Sequence, residues 1–258
     1  MSKLELLRLP EAKEKYNLDD RCTSILHREI IKRKSFLKNI YNDYYWEFKK
    51  SLRNAELKCI VEIGSGGGFI KEIIPNTITS DIINIPDMDI IFSALKMPFK
   101  DNSVDAFLMI DVLHHLRDAK VFFKEAIRCL KVGGKVVMVE PANTLWSRFV
   151  YKNFHHETFD PSGTWGCESD RPLSVANGAI PWIVFCRDRR HFQKEFPSFK
   201  VLKLKSHTPF RYIVSGGVSM RQLLPSFAYN IVKGIELILS PLNKYCGMFM
   251  TVELEKIY

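Results

Sequence analysis

The 258-residue sequence lacks an uninterrupted apolar segment of membrane-spanning length, and its six cysteines form neither a CxxC pair nor a zinc-ligand spacing. A disulfide framework and a cysteine zinc site are therefore not indicated. Residues 1–17 alternate charged with apolar side chains and lack the apolar core of a signal peptide. We therefore expect a cytoplasmic protein, because cysteines remain reduced in that compartment.

The longest apolar stretch, residues 223–242, reads LLPSFAYNIVKGIELILSPL. Lys233 and Glu236 lie in its middle, and Pro225 and Pro241 interrupt it, so a membrane span is not expected. The favoured interpretation is a helix that packs on the rest of the protein. The alternative is an interfacial helix in peripheral contact with an anionic membrane, because basic residues flank the segment.

The composition is that of a globular protein, with 46% hydrophobic and 26% charged residues, which excludes disorder and coiled coil. The net charge of +9 is unevenly distributed. Residues 59–140 carry 9 basic and 11 acidic side chains, whereas residues 1–58 carry 14 and 9, and residues 141–258 carry 15 and 9. The pattern favours a cationic ligand for the centre and an anionic or membrane-associated partner for the flanks.

The pattern of apolar residues predicts buried strands that alternate with helices from residue 59 onward. The predicted strands cover 59–63, 78–81, 89–92, 104–110, 135–139, 199–205 and 248–256. A short helix is expected after the first strand and a longer one over 120–130. Only seven residues separate Asp81 from Asp89, which predicts a loop or a single turn there. The sequence therefore predicts a doubly wound α/β fold with a parallel sheet.

Two regions outside these strands are expected to shape a binding site. Apolar residues at helical spacing predict one long amphipathic helix over 23–53, in an N-terminal helical cap that spans 1–58. Residues 59–258 are expected to form one domain with inserts at 142–196 and 206–246. The cap and the inserts contain all four tryptophans and several basic runs.

A glycine-rich loop from Gly64 to Gly68 follows the first predicted strand. Such a loop lets a ligand approach the backbone. Glu62 narrows the choice of ligand, because its carboxylate would repel a pyrophosphate and attract an ammonium or a sulfonium. Asp81, at the end of the second strand, can accept hydrogen bonds from both hydroxyls of a ribose. A turn-capping role for Asp81 and a solvated strand end for Glu62 are the alternatives.

Four segments together resemble class I S-adenosylmethionine-dependent methyltransferases. They are VEIGSGGGF at 61–69, ALKMPFKDNSVD at 94–105, DVLHHL at 111–116 and EAIRCLKVGGKVVMVEP at 125–141. The chain is most similar to the type 11-like group, which carries an LPF-D-x-S-F-D segment before its fourth strand. The resemblance implies a Rossmann-like, mostly parallel sheet of about seven strands with an antiparallel last strand. It also implies S-adenosyl-L-methionine as the cofactor.

The resemblance also implies roles for individual residues. Those expected around the cofactor are Glu62, Gly64, Ser65, Gly66, Gly68, Asp81, Ile82, Ser93, Ala94, Leu95 and Asp111. Asp81 would hold the ribose, and Asp111 would line the path of the methyl group. Ser93 stands where the family often has an acidic residue that binds the adenine amino group. The contact expected from Ser93 is therefore an uncharged hydrogen bond.

Methyl transfer requires alignment of the acceptor and, for many acceptors, a base that removes a proton. Candidate bases are His155 and His156 in the segment FHHETFD, and His115 in the histidine pair after the fourth strand. Glu157 is a further acidic candidate in the same segment. A packing role for the histidine pair is the alternative. No metal site is expected, because the spacing in FHHETFD fits no standard ligand pair.

The aromatic and basic content of the inserts predicts a small or lipid-linked acceptor that is anionic or amphipathic, methylated most simply at oxygen. RNA is an alternative acceptor, although no RNA-binding module is recognisable. A further alternative is a cofactor-binding regulatory module without catalysis. The sequence indicates neither the identity of the acceptor nor an oligomeric state.

Overall fold

The computed structural model describes residues 7–12, 20–52, 59–155, 157–167 and 175–258. A seven-stranded sheet in the order β3-β2-β1-β4-β5-β7-β6 forms its centre. The strands are β1 (Ile60–Ile63), β2 (Thr77–Asp81), β3 (Ile90–Ile91), β4 (Val104–Ile110), β5 (Leu130–Pro141), β6 (Phe199–His207) and β7 (Phe249–Lys256). Strands β1 to β5 are parallel, and β7 is antiparallel to both of its neighbours. The predicted Rossmann-like, mostly parallel sheet with an antiparallel last strand is confirmed.

Helices surround this sheet and share its core. They are α1 (Arg21–Arg33), α2 (Ser35–Leu52), α3 (Ala119–Cys129), α4 (Leu145–Phe154), α5 (Arg189–Glu195), α6 (Arg211–Ser215), α7 (Tyr229–Ile238) and α8 (Asn243–Cys246). A helical turn at Ile180–Trp182 continues into a π-helical turn at Ile183–Arg187. The buried rings of Phe48 on α2 and Phe123 on α3 belong to the same apolar core as Phe107 of β4. The N-terminal helices are thereby fixed against the sheet.

The prediction of one continuous helix over 23–53 is wrong, because α1 and α2 are separate helices that meet at Lys34. The backbone of Lys34 leaves the helical conformation with ψ at 97°. Its buried ammonium donates hydrogen bonds to the carbonyls of Gly217 and Met220. Burial lowers the pKa of Lys34 to about 8. These partners lie 183 and 186 positions away in the chain, so the helical periodicity alone could not reveal the break.

The connections next to the glycine loop are short. The segment predicted as a helix after β1 forms only the 3₁₀ turn Ile70–Glu72. As predicted, a loop joins β2 to β3, and β3 itself is reduced to two residues. Helix α1 lies beside this loop, where Arg28 donates a hydrogen bond to the carbonyl of Pro86 at 3.1 Å and pairs with Asp87 at 3.3 Å. These contacts attach helix α1 to the loop between β2 and β3.

The apolar stretch 223–242 does not form one long helix. Helix α7 occupies its centre, between the 3₁₀ turns Ser226–Ala228 and Ser240–Leu242. Within the described part of the chain, no helix combines the length and the apolar character that crossing a bilayer would require. Helix α7 packs on the protein through Tyr229 and Glu236, which are buried.

Candidate active site

Two adjoining cavities open at the carboxyl ends of the parallel strands, where open α/β sheets bind ligands. The cofactor cavity, of about 460 Å³, lies over the glycine loop and reaches Glu62 and Asp81. The acceptor cavity, of about 220 Å³, lies beside it and reaches Tyr151 of α4. Asp111 and His115, which follow β4, line both cavities. The two cavities therefore adjoin at these side chains.

Every residue that the sequence predicted around the cofactor lies at the cofactor cavity. The set comprises Glu62, Gly64, Ser65, Gly66, Gly68, Asp81, Ile82, Ser93, Ala94, Leu95 and Asp111. These residues come from four separate segments that the order of the strands brings together. Their individual contacts with the cofactor remain predictions, whereas their convergence on one cavity is an observation.

The glycine loop requires glycine at two positions for different reasons. Gly64 has a φ of +66°, and a Cβ there would lie 2.5 Å from a methyl carbon of Val112. Gly67 lies under α1, where a Cβ would come within 2.7 Å of the backbone nitrogen of Arg28. The first position needs a left-handed backbone. The missing side chain at Gly67 allows α1 to pack on the glycine loop and to cover the cofactor cavity.

Glu62 is buried at the end of β1, and its Oε2 atom has no hydrogen-bond partner within the described structure. Burial raises the pKa of this carboxyl group to about 7, and the neighbouring charge of Asp81 adds to the effect. A buried carboxylate oxygen without a partner is costly, and an ammonium group is its natural counterion. The site therefore fits the amino group of the methionyl part of S-adenosylmethionine.

Asp81 ends β2 with its carboxylate fixed by the backbone. One oxygen accepts the amide of Gly66 at 3.0 Å, and the other accepts the amide of Ile83 at 3.0 Å. Burial raises the pKa of Asp81, whereas these backbone hydrogen bonds lower it. A carboxylate oxygen has two lone-pair sites, so each oxygen retains acceptor capacity toward the cavity. The arrangement fits the two hydroxyls of a ribose.

The opposite wall of the cofactor cavity contains Ile82 and the segment from Phe92 to Leu95. The Ser93 hydroxyl already accepts the backbone N–H of Leu95 at 3.2 Å. It therefore fixes its own loop, and its oxygen keeps one further lone pair for an adenine amino group. The flat apolar surfaces of Ile82 and Phe92 are suited to an aromatic base.

The acceptor cavity contains a cluster of histidines and carboxylates around Glu157. The Glu157 carboxylate lies 3.5 Å from Nε2 of His114, 3.8 Å from Nε2 of His115 and 3.8 Å from Nδ1 of His155. Behind this cluster, the buried carboxylate of Glu140 pairs with Nδ1 of His114 at 2.7 Å. Glu140 also accepts the backbone amides of Val112 and Leu113. Glu140 therefore fixes the loop that carries both histidines.

The cluster is strongly coupled electrostatically. Burial opposes the charge of His114, yet its contacts with Glu140 and Glu157 raise the pKa of this imidazole well above its ordinary value. Burial likewise opposes the charge of Glu157, but His114 lowers the pKa of this carboxyl group below its ordinary range. Burial raises the pKa of Asp111 to about 7. The site thus combines an imidazolium–carboxylate pair with a carboxyl group that titrates near neutrality.

The three predicted bases have different positions. His115 lies at the boundary of the two cavities, and His155 lines only the acceptor cavity. The Nδ1 atom of His155 accepts the backbone N–H of Glu157 at 3.3 Å, so in the neutral ring the proton resides on Nε2. His156 lies outside the described residues. Geometry therefore favours His115 over His155 as a base next to the cofactor.

Several functional candidates were not predicted from the sequence. Glu140 was quoted only as part of a motif, although its position at the end of β5 places it beside the histidine pair. Tyr151 and Tyr212 form part of the acceptor cavity wall. Aromatic residues are frequent in both inserts, so composition alone could not single out these two.

The cluster also has the composition of a metal site. His114, His115 and Glu157 each offer one ligand atom, and these atoms lie within 4.8 Å of one another. Two imidazoles and a carboxylate are a ligand set that several divalent metals accept. The expectation that no metal is bound therefore remains a prediction, which a chelation experiment can test.

The elevated pKa values predict a pH-dependent affinity for the cationic cofactor. Glu62 and Asp111 both titrate at about 7 without a ligand, and a bound cation favours their ionised forms. We expect affinity to be constant above about pH 8 and to fall by up to about tenfold per pH unit below pH 7 for each group that must ionise. Calorimetry in buffers of different ionisation enthalpy would measure the released protons. A pH-independent affinity from pH 6 to pH 8 would contradict the assignment.

Comparison with known proteins agrees with this geometry. Residues 61–138 match the family model described as a methyltransferase domain. A SAM-dependent methyltransferase from Archaeoglobus fulgidus shares the fold with a TM-score of 0.51 at 12% identity, over 84% of this chain and 94% of that chain. The predicted resemblance to class I methyltransferases, with S-adenosylmethionine as the cofactor, is thus confirmed over the segment that the family model matches.

Other solved structures show weaker likeness. The YcgJ protein from Bacillus subtilis has a TM-score of 0.49 at 13% identity, over 84% of this chain and 99% of that chain. Geranyl diphosphate C-methyltransferase from Streptomyces coelicolor A3(2) has a TM-score of 0.46 at 13% identity, over 85% of this chain and 80% of that chain. Among curated proteins, sequence comparison finds no significant match.

Proposed function

We propose that the protein transfers the methyl group of S-adenosylmethionine to an oxygen of a small or lipid-linked, amphipathic acceptor. The observation that carries the proposal is that Asp111 and His115 line both the cofactor cavity and the acceptor cavity. A residue that borders both spaces lies where an acceptor atom would meet the methyl group. The alternative of a regulatory module without catalysis gains no support from this arrangement.

The protein residues supply alignment and proton removal. When bound, S-adenosylmethionine supplies an electrophilic methyl group on a sulfonium sulfur. Glu62 and Asp81 hold the ammonium and the ribose, which fixes the position of that methyl group. His115 accepts the proton of the acceptor hydroxyl, and the carboxylate of Glu157, 3.8 Å away, stabilises the resulting imidazolium. Oxygen is proposed because a hydroxyl needs the base that this site provides.

The lining of the acceptor cavity supports an amphipathic acceptor. The rings of Tyr151, Phe159, Tyr212 and Phe249 form much of its wall, and no lysine or arginine occurs among its described lining residues. An apolar portion of the acceptor fits these rings. An anionic portion would lie outside the cavity, where basic side chains are exposed on α4. A lipid-linked saccharide or a quinone-like compound has separate apolar and polar portions of this kind.

We also propose a cytoplasmic location. The six cysteines are all unpaired thiols, and Cys129 and Cys167 are buried. Unpaired cysteines are typical of proteins in a reducing compartment. Peripheral contact with a membrane would be compatible with this location.

A labelling experiment tests the proposed activity. Purified protein is incubated with methyl-tritiated S-adenosylmethionine and with the lipid, glycan and RNA fractions of a cell extract. We expect label in the lipid fraction or in an organic-soluble small molecule, and we expect it to persist with a chelator present. Label only in RNA would overturn the acceptor class. Cofactor binding without label in any fraction would overturn catalysis.

A further inference from the structure

Helix α7 presents its polar side to the protein rather than to solvent. The buried carboxylate of Glu236 accepts the amides of Phe210 and Arg211 at 2.8 Å and pairs with the Arg211 guanidinium. Lys233 donates a hydrogen bond to Asp43 on α2 at 2.6 Å. Both charged side chains of α7 are therefore paired with other parts of the protein, which is the reverse of an ordinary surface helix.

The opposite side of α7 is apolar and exposed. Four apolar residues recur at spacings of four, four and three, which places them along one side of α7 and of the 3₁₀ turn before it. They are Phe227 in the turn and Ile231, Ile235 and Ile238 in the helix. Phe227 is 78% exposed and Ile238 is 80% exposed. Single exposed apolar residues are normal on proteins, but a continuous apolar stripe marks a surface that is covered in use.

Helix α4 adds a second apolar face of the same kind. Leu145 and Phe149, four residues apart, are exposed, whereas Tyr151 is buried and lines the acceptor cavity. The start of α4 is joined to the segment around α7, because Thr144 Oγ1 donates a hydrogen bond to the carbonyl of Gly247 at 3.0 Å. The Trp146 indole donates another to the carbonyl of Pro209. The wall of the acceptor cavity therefore carries exposed apolar side chains on its outer face.

The charges of these segments have one sign at the surface. Residues 142–155 and 209–247 contain a single acidic side chain, Glu236, which is buried. In the same segments Arg148, Lys152, Arg221 and Lys244 are exposed. Apolar side chains among basic ones complement an anionic lipid surface. A second copy of the chain would instead bring like charges together.

We propose that α4 and α7 dock on an anionic lipid bilayer. Their apolar side chains enter the interfacial layer, and the four basic side chains contact lipid phosphates. One part of this proposal rests on the proposed function: an acceptor in the bilayer would reach the acceptor cavity past Tyr151. Binding to lipid is independent of methyl transfer.

Co-sedimentation of the full chain with vesicles tests this proposal. The vesicles consist of phosphatidylcholine alone or with about one quarter phosphatidylglycerol. We expect binding to the anionic vesicles that weakens with salt. Phe227→Ser/Ile238→Ser should weaken this binding by about tenfold or more. Lys244→Gln, which removes one positive charge, should weaken binding to anionic vesicles by about fivefold and leave any binding to neutral vesicles unchanged.

The matched control is Val132→Ser, which removes another exposed apolar side chain near the start of β5, whereas the cavities lie at the carboxyl ends of the parallel strands. This variant should bind vesicles like the wild type. Equal binding by the wild type and the Phe227→Ser/Ile238→Ser variant would overturn the proposal. A wild-type dimer that ignores vesicles, and that the same variant converts to monomer, would also overturn it. S-adenosylmethionine binding measured in parallel separates a failure of docking from a failure of the proposed function.

Discussion

Replacing His115 with alanine is expected to lower kcat by about two to four orders of magnitude, the usual contribution of a general base. The Kd for S-adenosylmethionine should change by less than about threefold, because the assigned cofactor contacts lie at Glu62 and Asp81. His115 borders both cavities and lies 3.8 Å from the Glu157 carboxylate. Steady-state kinetics with a labelled acceptor and calorimetry of the cofactor measure the two quantities.

The chain offers matched controls for this substitution. His191 also lies beside a carboxylate, with Nε2 at 2.9 Å from Glu195, and it lies outside both cavities. His191→Ala should therefore leave kcat unchanged. His115→Ala should also remove the acidic limb of the kcat–pH profile, which a structural role would leave in place. If His115→Ala keeps full activity and His155→Ala/His156→Ala loses it, the base is assigned to the wrong histidine.

Replacing Glu62 with glutamine is expected to weaken S-adenosylmethionine binding by about 30-fold to several thousand-fold, the cost of removing one partner of a buried charge pair. The free energy of unfolding of this variant should not fall and should increase above about pH 7. The folded-state pKa of Glu62, about 7, exceeds the ordinary value of 4.5. Ionisation of this buried group therefore lowers the free energy of unfolding of the wild type by about 3 kcal/mol as pH rises from about 4.5 to 7. The glutamine variant lacks this loss.

Calorimetry and thermal unfolding at pH 8 test the Glu62 prediction together. Glu62→Gln should unfold at the same temperature as the wild type or higher, while its cofactor affinity falls. The control is Glu72→Gln, because Glu72 is half-exposed near the same loop and forms an ion pair with Lys38 at 3.4 Å. It should alter neither quantity. A destabilised Glu62→Gln variant with unaltered affinity would show that Glu62 is a structural residue.

The cofactor cavity could be predicted from sequence because its residues are determined locally. Each lies at or just after the carboxyl end of a buried strand, and the strand order of a doubly wound sheet brings those ends together. Gly64 with its positive φ and the buried Glu62 are short-range features of one strand–loop unit. The strand–loop pattern was therefore sufficient for the glycine loop, Glu62 and Asp81. Ile82, Asp111 and the segment 93–95 were assigned through the resemblance to the methyltransferase family.

The acceptor side depends on contacts that sequence patterns do not encode. His114 and Glu140 are 26 positions apart and meet because β4 and β5 are neighbours. The break at Lys34 is stabilised by carbonyls more than 180 positions away. The apolar stretch 223–242 was visible, but which side of α7 faces solvent depends on the pairing of Glu236 with Arg211. Such pairings become visible only in three dimensions.

Calorimetric titration of the full chain with S-adenosylmethionine tests the central claim most directly. We expect one binding site per chain, competition by S-adenosylhomocysteine, and proton release that grows as pH falls toward 7 and below. The absence of binding at pH 8, with a protein that unfolds cooperatively, would contradict it, because every proposed role of Glu62, Asp81 and His115 depends on that cofactor.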